Sequence, residues 1–152
     1  MWLFLLACVT DPLTAAGNQY AQEMAPLFQA NRALGEQYLQ VASKVKKNEA
    51  TPQEVATVSD STAAAAATLA TKATGVHPTE PQLALPHAEL SAAWKHRAEA
   101  YAAVAAAWKA QDLVAFDKAV ASADKAADEE SIAADHLDNV LLPAGVRVDL
   151  YP

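Results

Sequence analysis

The sequence predicts an all-α protein, an antiparallel up-down-up-down four-helix bundle. Three observations carry the prediction. Roughly a quarter of the 152 residues are alanine and only four are glycine; alanine favours helix because it loses no side-chain entropy there. Apolar residues recur in alternating steps of four and three, the spacing of one helix face packed on its neighbours. Capping and stop signals divide the chain into four segments of helical length. β-branched and aromatic residues are too scattered for several strands. A chain of this length forms one domain with a sizeable core.

Asp11-Pro12 opens the first helix, aspartate as cap and proline at the first helical position. The pattern runs over residues 12–47, with its seam at Tyr20, Met24, Leu27, Asn31, Leu34, Tyr38, Val41 and Val45. Pro26 lies inside this run and predicts a kink. Thr51-Pro52-Gln53-Glu54 is a capping box that opens a second helix over 52–74, with Gly75 as its stop. Its seam is thinner: Val55, Val58, Thr62, Ala65 and Leu69. The alanine run 63–67 is read as helix propensity.

Residues 76–85, with Pro78 and Pro81 inside and Pro86 directly after, predict a connector that crosses one end of the bundle. A third helix over 86–110 presents Leu90, Trp94, Arg97, Tyr101, Val104 and Trp108. Asp112 caps a fourth over 113–142, with its seam at Leu113, Phe116, Val120, Ala123, Ala127, Glu130, Ala134, Leu137 and Leu141. Pro143 and Gly145 end it, and residues 143–152 form an extended tail against the bundle. The nearly direct turn between the last two helices makes them antiparallel neighbours.

Composition excludes several function classes. The net charge is −7, and no basic stripe of the kind that grips phosphates is present, so no nucleic-acid partner is expected. The single cysteine, Cys8, permits neither an internal disulfide nor a paired-cysteine zinc site. No apolar run is long enough to span a bilayer. Isolated glycines build no phosphate loop, and Ser59, Ser61 and Ser122 lack a histidine and acid at triad spacing. The four histidines, His77, His87, His96 and His136, fall in none of the spacings of helical metal sites, so no metal is expected. His77 and His87 bracket the connector and are placed to approach one another. Nothing names a catalytic residue.

Three polar residues interrupt the apolar seams: Asn31, Arg97 and Glu130. With the turn near Gln111 setting the register, Arg97 lies opposite Ala127 and within about one turn of Glu130. An Arg97–Glu130 pair follows, either a charge that holds a ligand or a device that fixes register. Asn31 reads likewise as a register-setting core residue.

Leu5-Leu6-Ala7-Cys8 resembles the lipobox of bacterial lipoproteins. The resemblance implies cleavage before Cys8, lipidation of its thiol and a membrane anchor, with residues 1–7 the remnant of a signal and 8–11 a short tether. Val9 stands where the retention aspartate of that family would, which implies the outer membrane facing the periplasm. The alternative is an apolar leader to the first helix with an incidental cysteine, in a soluble cytoplasmic or periplasmic protein. A second resemblance rests on Met24 early in the first helix and His136 late in the fourth. Their placement, and the proline-rich connector, is similar to small periplasmic haem-binding four-helix-bundle cytochromes, and implies those two residues as axial ligands. The expectation is thus a lipid-anchored envelope protein without cofactor or enzymatic activity, a binding or scaffolding bundle with an unidentified envelope protein as partner. The alternative is a haem- or metal-binding periplasmic bundle.

Overall fold

The computed structural model describes residues 11–149. The expectations for the Leu5-to-Cys8 motif and for the last three residues lie outside the described residues. Four α-helices follow in order: α1 (Pro12–Lys46), α2 (Pro52–Thr74), α3 (Pro81–Ala110) and α4 (Leu113–Leu141). They form the up-down-up-down bundle, with α3 packed most tightly on α4, then α2 on α3, and α1 more loosely on α2. No strand occurs among the described residues.

The helix starts follow the local chemistry. Asp11 accepts from the Thr14 amide. Thr51 and Glu54 close the reciprocal capping box. Asp112 accepts from the Ala115 amide. Three of the four ends share one device: a residue with positive φ followed by an amide that reaches back to the last turn. Asn48, Gln111 and Gly145 take the left-handed conformation, and the amides of Glu49, Asp112 and Val146 bond the carbonyls of Lys44, Ala107 and Leu141. Gly75 ends α2 without it, at an ordinary φ of −79°.

The third helix departs from expectation. It begins at Pro81, not Pro86, and the connector shrinks to residues 75–80. Pro81 takes the first helical position, where no amide is needed. Pro86 lies inside the helix, and the residue whose carbonyl loses its partner, Gln82, is exposed to water. Burial repays the lost bond: stepping back from Leu90 by three and seven residues reaches His87 and Leu83, both buried. α1 likewise continues through Pro26, with Gln22 four residues earlier at the surface.

Phe28 rather than Leu27 enters the core, edge-on against Trp94 at 5.5 Å between ring centres. In α2 Ala66 is buried where Ala65 was expected, and in α4 Ala126 where Ala127 was expected. Leu113, placed on the α4 seam, is 72% exposed. A strict four-three pattern drifts against the true 3.6-residue period, which accounts for these one-residue errors.

The two ends of the bundle differ. At the tail end the chain after α4 folds back onto α1. Val146 is buried against Gly17, where a Cβ would meet a Val146 methyl at 3.0 Å. The Thr14 hydroxyl donates to the Ala144 carbonyl there, and farther along α1, midway up the bundle, Arg32 pairs with Asp149 at 2.9 Å. At the turn end, where the α1–α2 and α3–α4 turns lie, no such segment among the described residues covers the helices.

Candidate functional site

Asn31, Arg97 and Glu130 converge, and Trp94 joins them. Arg97 Nη2 pairs with Glu130 Oε2, the two side chains 12% and 7% exposed. Asn31 Nδ2 donates to Glu130 Oε1 at 2.6 Å, and Trp94 Nε1 donates to the same oxygen at 3.0 Å. Arg97 Nη1 donates to Asn31 Oδ1 at 3.3 Å. Burial pushes the Glu130 carboxyl up, against the pull of the Arg97 charge and the two donors. The contacts tie α1, α3 and α4 together at one level of the bundle. With Oε1 taking two donors and Oε2 facing the guanidinium, the carboxylate is committed to the protein rather than to a ligand.

The histidines separate into surface and interior. His96 pairs with Glu129 at 2.7 Å and His136 with Glu89 at 2.6 Å, both between α3 and α4 on the outer face. The His96 and Lys125 partners hold the Glu129 carboxyl below its ordinary range. Met24 is fully buried in the core, whereas the His136 side chain is half exposed and bonded to Glu89. One lies inside the bundle and the other on its outer surface. Among the described residues no group of three or more His, Cys, Asp or Glu side chains is arranged to hold a metal ion.

His77 and His87 do approach: both line a shallow depression at the tail end of the bundle. His77 is exposed; His87 is buried. His87 Nδ1 meets the Tyr20 hydroxyl at 3.1 Å, and its Nε2 lies 3.4 Å from Ser91 Oγ. Burial pushes the imidazole below its ordinary value, with the Ala73 and Val76 carbonyls drawing it partly back. Burial also raises the Tyr20 phenol. The tyrosine and histidine sit 67 residues apart in the chain, so no local spacing announces the pair.

The turn end holds a feature absent from the sequence reading. A cavity of about 320 Å³ opens among all four helices, walled by Val41, Val45, Val55, Val58, Val104 and Val120. Tyr38, stacked on Tyr101 with ring centres 4.5 Å apart, Leu39 and Phe116 also line it. Burial pushes the Tyr38 phenol up to about 12, with Tyr101 and the nearby Asp124 charge adding to it. Asp124 and Lys46 are the charged side chains of the lining. Two polar residues of α2, Ser59 and Thr62, complete it.

Thr62 is 1% exposed, and its Oγ1 has no hydrogen-bond partner. Its neighbours on the same helix behave otherwise. Thr68, Thr71 and Thr74 each donate to the carbonyl four residues earlier. Burying a hydroxyl without a partner is unfavourable, so Thr62 is an anomaly at the wall of the cavity. The signal in the sequence was a threonine on an apolar seam, which looks the same whether its hydroxyl is bonded or free.

No family model, no curated protein and no solved structure matches the chain.

Proposed function

We propose that the protein is a binding bundle of the bacterial cell envelope, anchored through a lipid on Cys8 and working at the opposite end of the molecule. The observation that carries the reading is the polarity of the bundle. Cys8 precedes the α1 cap by three residues, a reach of about 10 Å of extended chain. α1 then runs for 35 residues, about 50 Å. An anchor on Cys8 therefore sets the tail end, closed by Val146 packed on Gly17, toward the membrane. The turn end, with its cavity and the exposed Leu39, Leu113 and Val114, points away from it. No helix among the described residues is long and apolar enough to cross a membrane, so attachment in this reading rests on the thiol.

The test is fractionation of a bacterial host expressing the full chain, with labelled palmitate in the medium. The wild type is expected in the membrane fraction and labelled; Cys8→Ser is expected unlabelled and released. Equal membrane recovery of the two, without label, overturns the anchor.

A further inference from the structure

We propose that His87 is an acid-operated latch: a proton taken up by its imidazole frees the tail-end portion of α1, residues 12–23, from α3 while the rest of the bundle stays folded. This goes beyond the binding role proposed above and does not depend on the anchor.

Three elements converge on this one ring. From α1, the Tyr20 hydroxyl meets Nδ1 at 3.1 Å, and the tyrosine ring stands edge-on to the imidazole with centres 5.6 Å apart. From the end of α2 and the connector come the Ala73 and Val76 carbonyls and the His77 imidazole. From α3 itself, Ser91 Oγ lies 3.4 Å from Nε2, and Lys95, one turn beyond Ser91, lines the same depression as both histidines. No carboxylate faces the imidazole among the described residues.

The two hydroxyls suit a neutral ring, in which one nitrogen donates and the other accepts. A second proton makes both nitrogens donors, so the hydroxyl that donates to the neutral ring must turn away. The new charge is also buried, with His87 6% and Tyr20 2% exposed. Lys95, and His77 once protonated, repel it, and nothing of opposite sign offsets its desolvation.

α1 is the helix that gives way. Its backbone packs loosely on α2 and it reaches α3 through side chains at successive levels: Tyr20 on His87, Phe28 on Trp94, Asn31 on Arg97 and Tyr38 on Tyr101. Asn31 does not titrate and is bonded to both Arg97 and Glu130, so the middle of α1 stays attached. The first level is the one that acid breaks. Before it, the ties of α1 run to the segment after α4, through Thr14 to the Ala144 carbonyl and Gly17 to Val146, and not to α3.

The experiment is amide hydrogen exchange of the full-length chain carrying Cys8→Ser at pH 7.5 and 5.5, read as protection factors corrected for the chemical exchange rate. Amides 16–23 should be less protected at both values than the most protected amides of α3 and α4, which report global unfolding. Their protection should fall by up to tenfold at pH 5.5, the limit for an opened-state histidine at its ordinary 6.5, and recover on return to pH 7.5. His87→Gln, which keeps a donor and an acceptor but takes no proton, should hold the protection of these amides nearly constant. Protection equal to that of the α3 and α4 core, no fall between the two pH values, or the same fall in His87→Gln overturns the proposal. The first two comparisons use the unsubstituted ring and decide the matter even where the variant does not fold.

Discussion

Arg97 of α3 and Glu130 of α4 form an ion pair inside the bundle, and Asn31 of α1 bonds both partners. Two charges removed from water are strongly unfavourable unless each is fully engaged. Here one carboxylate oxygen takes an amide and an indole N–H and the other faces the guanidinium, so the buried charge is not left alone. It holds three helices in one register, as an apolar contact, which tolerates sliding, does not.

Removing one partner leaves the other buried and unpaired. Arg97→Leu should therefore lower stability by about 3–5 kcal/mol, read from urea unfolding. Adding Glu130→Leu should recover most of that loss, because the orphaned charge goes with it. An Arg97→Leu chain as stable as wild type would mean that the pair does not form in solution.

Thr62→Val should raise the stability of the protein by about 1 kcal/mol. The variant deletes a hydroxyl that is buried without a partner and substitutes a methyl in an apolar wall. Thr68→Val, whose hydroxyl is exposed and bonded to its own helix, is the control and should change little. A loss of stability in Thr62→Val would show that the hydroxyl finds a partner in solution.

Gln111 holds a left-handed conformation, φ 56°, at the two-residue turn between α3 and α4. A side chain there is strained and glycine is not. Gln111→Gly should therefore stabilise by about 0.5–1 kcal/mol, read from the urea midpoint.

His87 predicts a pH dependence. Its folded pKa lies below its ordinary value of 6.5 because burial disfavours the imidazolium. The unfolded chain therefore binds the proton first, and stability falls as pH drops below about 6.5. Glu130 acts in the opposite sense: its raised pKa favours the folded state below its ordinary 4.5, and that contribution is lost as pH rises through the folded value. Comparing wild type with His87→Gln isolates the histidine, since Glu130 is common to both. The wild-type thermal midpoint should fall more steeply between pH 7 and 5.5 than that of the variant, and parallel curves would exclude the buried neutral histidine.

The seams of α1 and α3 were legible because their large residues, Tyr20, Met24, Trp94 and Tyr101, repeat at helical spacing and stay inside. The Arg97–Glu130 pair was legible too, because a short turn links α3 to α4 and fixes how far each residue lies from it. The start of α3 was not. Two prolines within six residues predict a break, yet one occupies a position that needs no amide, and burial of Leu83 and His87 carries the helix through the other. In α4, small alanines mark the face poorly, and a one-residue drift exchanged Ala126 for Ala127.

By itself, then, the sequence determined the number of helices, their caps, their antiparallel order and the polar residues on their seams. These follow from local propensity and short connections, whose energies act between residues close in the chain. Only the tertiary structure decided that Tyr20 meets His87, that Asn31 reaches Glu130, that six valines line a cavity, and that the Thr62 hydroxyl is buried without a partner. Those features depend on how far α1 stands from the other helices. That distance is set by the summed packing of side chains remote in sequence, and no local pattern encodes it.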